Sequence, residues 1–227
     1  MVANYFTLLH LTKSLSARLS GLTLRGCFSQ QRGTLVLHAW GSGREEWIEV
    51  SCDPALNYVL PRRSFARARK NSVDVFPELN GASIITLALH PSDRQLSILL
   101  QSDERLLIHL YGASANVYWI SSSHLVRASF LKPKALVGTL LLEPEQKPLP
   151  VPETFEDLRP HDGGGPIRMT LRAALPQLGP LYIREALSRA GFTGQETASE
   201  LSLTRQRGLV EGLRSVFDEL LTRPVPR

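Results

Sequence analysis

The stretch Gln95-Leu-Ser-Ile-Leu-Leu-Gln-Ser-Asp-Glu-Arg-Leu-Leu-Ile-His-Leu110 decides the fold. Leu96, Ile98 and Leu100 recur at a period of two, then a polar turn intervenes, then Leu106, Ile108 and Leu110 recur at the same period. Successive side chains of a strand point to opposite faces, so this spacing predicts a hairpin with one dry face. Residues 82–90 before it and 115–121 after it read as two further strands. Short polar turns separate all four, with no helix between them, which favours an antiparallel sheet over a parallel one.

Working outward, residues 22–53 are rich in β-branched and aromatic side chains and are cut by Gly33 and by Gly41-Ser-Gly43, which predicts a three-strand meander. Tyr58 to Leu60 add a short edge piece before Pro61, and residues 74–79 a short helical turn closed by Asn80-Gly81. Ahead of these, Leu8, Leu11, Leu15 and Leu19 fall three or four apart over residues 4–20, the period of an amphipathic helix, ended by Gly21. Downstream the composition shifts, with prolines clustered from Pro133 to Pro160 and then Gly163-Gly-Gly165. Such a segment is expected to make few contacts. The chain therefore divides into a β-rich domain at 1–132, a Pro/Gly-rich linker at 133–165 and an all-α domain at 166–227. Helices are expected over 169–175, 181–190 and 201–221. The fold class is α+β: a helix with a largely antiparallel sheet or sandwich, followed by a helical domain.

With 43% hydrophobic residues in 227, the chain can bury a core, which excludes general disorder. No run of about 18 apolar residues occurs, so no membrane span is expected. The N-terminus lacks a basic segment ahead of its apolar residues, unlike a signal peptide, and a cytoplasmic protein is expected. Cys27 and Cys52 lie in strand-like contexts and read as reduced, half-buried thiols rather than a disulfide framework.

Catalytic signals are thin. His10, His38, His90, His109, His124 and His161 show no metal-binding spacing, and no nucleophile elbow, Walker loop or dinucleotide loop is present. No catalytic residue, metal or cofactor is expected, and His38 and His109 read as structural or surface histidines in strands. A nucleic-acid glycosylase or lyase is the enzymatic alternative. It needs an amine such as Lys13 or Lys70 for Schiff-base formation, and neither is flanked by activating residues.

The basic residues say more. Twenty-six Lys+Arg against 21 Asp+Glu leave a net charge of +5. Arg62, Arg63, Arg67, Arg69 and Lys70 crowd into one segment around Phe65, a composition suited to phosphate contacts; a solvated charge run is the competing reading. Arg127, Lys132 and Lys134 form a second cluster. Residues 175–191 have the pattern of a helix-hairpin-helix unit. There Gly179 permits a tight turn, the start of the next helix presents N–H groups to a phosphate, and Arg184 or Arg189 assists. Such hairpins also serve simply to pack two helices. Pro91-Ser-Asp-Arg94 places an acid beside a base on a strand connection, which taken alone is ordinary turn chemistry.

Five stretches resemble, in order, the N-terminal domain of the NFACT family, the RqcH-type ribosome quality-control factors often labelled fibronectin-binding A domain proteins. They are HLTKSLSARLSGLTLRGCFSQ, RARKNSVDVFPELNGASI, HPSDRQLSILL, LIHLYGASANVYWIS and LPQLGPLYIREALSRAG, together covering most of residues 8–191. The resemblance implies a non-enzymatic module that binds tRNA and ribosomal RNA on the large ribosomal subunit, within a protein that helps add C-terminal residues to stalled nascent chains. The family's Asp-Arg pair falls on Asp93 and Arg94, implying tRNA engagement there. A more distant similarity to formamidopyrimidine-DNA glycosylases implies a related β-rich N-terminal domain. Three departures stand out. The family's aspartate near the first helix is unmatched at Asn4-Tyr-Phe-Thr7; the sequence stops at Arg227, where family members continue into a coiled coil and an RNA-binding domain; and the glycosylases' N-terminal Pro-Glu is replaced by Val2-Ala3. The family label also raises a surface fibronectin-binding adhesin as an alternative.

Overall fold

The computed structural model describes residues 4–141, 145–158 and 165–222. His161 and Gly163 lie outside them. The chain forms two compact units, one from Thr7–Gln146 and the other from Asn4–Phe6 with Lys147–Arg227.

In the first unit, α1 (Tyr5–Leu19) buries Leu8, Leu15 and Leu19 on one stripe and stops where Gly21 takes φ +77, a conformation costly for any residue with a Cβ. The expected meander follows as β1 (Thr23–Gln31), β2 (Thr34–Gly41) and β3 (Arg44–Cys52), with β4 (Asn57–Arg62) on its edge. A two-residue strand, β5 (Val73–Asp74), pairs with β1 on the opposite edge, giving the order β4-β3-β2-β1-β5. The helical turn expected over 74–79 is present as a shorter 3₁₀ turn at Pro77–Leu79, entered through Phe76 at φ 55 and capped by Asn80, because Asp74 is taken up by the strand.

The second sheet holds the deciding hairpin. β6 (Ile84–Leu89), β7 (Gln95–Leu100), β8 (Arg105–His109), β9 (Asn116–Ile120) and β10 (Val126–Ser129) are all antiparallel to their neighbours in the order β10-β9-β8-β7-β6. Leu96, Ile98, Leu100, Leu106, Ile108 and Leu110 are all at most 1% exposed and join Leu35, Leu37, Ile48 and Val50 of the first sheet in one core, sealed by the α1 leucines. Each fully buried leucine contributes about 1.5–3 kcal/mol. The two sheets are stitched where the Leu24 and Ile84 amides donate to the Ala82 and Leu22 carbonyls.

The hairpin's other face is covered as well. Leu107, Tyr118, Ile120 and Val126 are buried there beneath Leu136 and Leu141. These leucines belong to the Pro-rich segment, which folds through α2 (Pro133–Leu136) and then pairs its backbone with β10: the Val126 amide donates to Thr139 and the Gly138 amide to Val126. The expectation of few contacts fails here because a proline at the first helical turn is compatible with order, and two leucines beside it find an apolar sheet face.

In the second unit, α3 (Ile167–Ala174), α4 (Gly179–Arg189) and α5 (Leu203–Thr222) bury Leu171, Ile183, Leu187, Leu209, Leu213 and Phe217. α4 and α5 approach so closely at Gly212 that a Cβ there would sit 3.0 Å from the Ala186 carbonyl oxygen. Phe6 meets Tyr182 and Phe217 edge-on, at 6.1 and 6.0 Å between ring centroids. Among the described residues no helix is long and apolar enough to cross a membrane.

Candidate functional site

Asp93 and Arg94 occupy the turn from β6 to β7. The turn is fixed by the His90 amide donating to the Gln95 carbonyl at 2.8 Å, and by the Leu110 amide donating to the Arg94 carbonyl at 3.1 Å. One Asp93 carboxylate oxygen accepts the Arg94 amide at 2.7 Å, and the Tyr111 hydroxyl lies near the carboxylate. Tyr111 lies just past β8, its ring face 5.9 Å from the Arg94 guanidinium. One tyrosine therefore adjoins both members of the pair. Its own hydroxyl is pushed well above the usual range by burial and by the neighbouring Asp93 carboxylate.

The register of the sheet supplies the rest. Gln95 pairs with His109, which pairs with Asn116. His109 packs edge-on to Tyr111 and Tyr118, at 5.5 and 5.0 Å, with its buried Nε2 lacking a hydrogen-bond partner. Burial, aided by His90 and opposed by the Asp93 carboxylate, lowers its pKa to about 4, so the ring is neutral at pH 7. Sequence alone marks neither His109 nor Tyr111 as part of this site. The signal that identifies them is the register, which sets the end of β8 beside the turn that begins β7.

The basic residues are distributed unevenly. Arg62 is held by the buried Glu49 at 2.9 Å, and Glu49 also accepts from the Tyr58 hydroxyl at 2.6 Å. Arg67 pairs with Asp74 at 2.7 Å and lies over Phe28 at 4.6 Å. Arg127 pairs with Glu104 at 2.8 Å and faces Trp119. Arg63, Arg69, Lys70, Lys132 and Lys134 are exposed and make no ion pair among the described residues. The segment carrying the first cluster straps across the outer face of the first sheet. Phe65 packs on Trp47 and Phe28, and the Ala68 amide donates to the Gln30 side chain at 2.8 Å. His38, stacked flat on Trp47 at 3.7 Å and hydrogen-bonded to Glu45, is part of this structural face.

In the second unit, Gly179 takes φ +65 at the start of α4, a conformation that favours glycine. Arg184 is exposed and unpaired among the described residues, whereas Arg189 is clamped by Glu185 at 2.9 Å and Glu219 at 2.8 Å. Cys27 and Cys52 are free and fully buried, deeper than the half-burial expected, and burial pushes both thiols up to about 12. No cluster of three potential metal ligands exists among the described residues.

No protein-family profile matches the chain, and no curated protein matches it in sequence. Among solved structures, the fibrinogen binding protein from Staphylococcus aureus is similar over 99% of this chain and 84% of its own, with a TM-score of 0.74 at 17% identity. The N-terminal region of the fibronectin/fibrinogen-binding protein from Streptococcus suis gives 0.58 over 95% of this chain and 84% of its own, also at 17% identity. The N-terminal domain of fibronectin-binding protein PavA from Streptococcus pneumoniae gives 0.56 over 97% and 84%, again at 17%. At that identity the likeness is one of fold, and the chain has the fold of fibronectin- and fibrinogen-binding proteins, the fold implied by the resemblance to the NFACT N-terminal domain.

Proposed function

We propose that this chain is a non-enzymatic nucleic-acid-binding module that engages tRNA and ribosomal RNA on the large ribosomal subunit, within ribosome-associated quality control in the cytoplasm. The observation that carries the reading is the braced Asp93-Arg94 turn, whose carboxylate is oriented by the Arg94 amide and whose guanidinium faces the Tyr111 ring. A guanidinium presented beside a fixed carboxylate suits a base edge or a phosphate, with the carboxylate accepting from a base amine. Arg63, Arg69, Lys70, Lys132 and Lys134 then supply general phosphate attraction from the same unit. In the second unit we read α3, the turn before Gly179 and α4 as a helix-hairpin-helix element. Gly179 and Arg184 are its phosphate contacts, while Arg189 serves chiefly to tie α4 to α5.

The test is tRNA binding by the chain and by Asp93→Ala/Arg94→Ala at two salt concentrations. The reading expects at least tenfold weaker binding by the variant at both, and equal binding would remove the turn from the account. A second reading, binding of fibronectin or fibrinogen, is favoured by what the three structural neighbours are called. Saturable capture on immobilised fibronectin, competed by free fibronectin and insensitive to tRNA, would support it.

A further inference from the structure

An open cleft of about 350 Å³ lies where β1 meets the β5 edge, lined by Gln30, Gln31, Arg32, Asn71 and Phe130 among others. Its size falls in the range of about 300–1,000 Å³ common for small-molecule sites. It joins two stretches that are far apart in sequence: Asn71 directly follows Lys70, and Phe130 precedes Lys132 by two residues. Arg32 lines the cleft, and Lys70 and Lys132 follow or precede lining residues within two positions of the chain. Arg32, Lys70 and Lys132 are exposed and make no ion pair among the described residues, while the nearby Asp74 is occupied by Arg67 and Asp53 accepts the Ala55 amide.

The lining chemistry is specific. The side-chain amides of Gln31 and Asn71 each offer a donor and an acceptor, as the edge of a nucleobase does, and Gln30 offers its NH₂. Gln30 uses its oxygen to hold the Ala68 amide at 2.8 Å, which anchors the basic strap at the rim, and its NH₂ has no partner among the described residues. Phe130 and the exposed Val73 add an aromatic and an apolar surface of the kind on which a base stacks. Amides for a base edge, an aromatic ring for its face and unpaired cations for its phosphates are the three kinds of group that a nucleotide engages at once.

We propose that this cleft receives one unstacked nucleotide of a single-stranded RNA, its base against Phe130 and the amides of Gln30, Gln31 and Asn71, its phosphates near Arg32, Lys70 and Lys132. The proposal rests on the RNA-binding reading but assigns a site built from different strands than the Asp93-Arg94 turn. The test compares a short fluorescent oligouridylate with the same strand carrying abasic sugars, titrated against the whole chain, Gln31→Ala and Arg32→Ala. The expected result is that the unaltered chain prefers the base-bearing strand by roughly tenfold, that Gln31→Ala lowers this preference toward one, and that Arg32→Ala weakens both strands alike. Each variant's thermal transition confirms folding. Equal binding of the two strands by the unaltered chain, or an undiminished preference in Gln31→Ala, overturns the proposal. If that happens while tRNA binding persists, only the cleft falls; if neither strand nor tRNA binds, the parent reading falls with it.

Discussion

The strap of residues 62–70 and the turn at Asp93-Arg94 invert each other. By composition the strap is the obvious nucleic-acid segment, with five cations in nine residues. In the structure Arg62 and Arg67 are spent on Glu49 and Asp74, and Phe65 is spent on Trp47 and Phe28. The turn has one acid and one base, a pair that composition cancels to zero, yet Tyr111 and the Arg94 amide organise it in detail. Charge counted along a sequence measures how much is present; recognition depends on how much remains available and how well it is aimed.

The largest effect is expected at the strap's own anchor. Glu49 is 6% exposed and accepts from both Arg62 and Tyr58. Glu49→Ala leaves two donors without their acceptor and is expected to cost about 2–4 kcal/mol in urea unfolding, with little change in RNA affinity. Arg62→Ala, which strands a buried carboxylate, should cost about 1–3 kcal/mol in the same measurement. If Arg62 acts instead as a phosphate contact, its loss will lower affinity and leave stability nearly unchanged.

The complementary variant removes the unpaired charges. Arg63→Ala/Arg69→Ala/Lys70→Ala should leave the melting temperature within a degree or two. For every phosphate that these side chains neutralise, their removal should flatten the slope of log affinity against log salt by about 0.7–0.9. A smaller effect is expected beside the turn. His109 has a folded pKa of about 4 against 6.5 unfolded, so the unfolded state binds the extra proton between those values. Stability is fully present above pH 6.5 and declines as pH falls toward 4, by up to about 1.4 kcal/mol per pH unit from this group. His109→Phe should flatten that window, and an unchanged pH profile would show that the ring is not buried as described. Smallest of all, Cys27 and Cys52 should resist alkylation at pH 8 in the folded chain and react on unfolding, since thiols pushed up to about 12 hold almost no thiolate.

What was legible in the sequence follows from periodicity. Leu8 to Leu19, the alternating leucines of residues 96–110 and the apolar spacing of residues 201–221 encode their partners locally, so α1, the central strands and α5 emerge where expected. β5 and β10 do not, because Val73–Asp74 is too short to alternate and Val126–Ser129 contains Arg127 at an outward position. Leu136 and Leu141 were hidden by the prolines around them. At the candidate site, Asp93 and Arg94 were visible only through resemblance. Tyr111 and His109 required the strand register, and the cleft at Gln31 and Phe130 required two sheets to be folded against each other, which no local pattern records.

If an aimed pair, rather than bulk charge, governs recognition, the exchange variant Asp93→Arg/Arg94→Asp separates the two, because net charge stays at +5. Its affinity for tRNA, measured at moderate salt beside the unaltered chain, is predicted to fall at least tenfold while thermal stability is kept. Undiminished affinity would show that the turn's organisation is structural and that the unpaired cations alone account for binding.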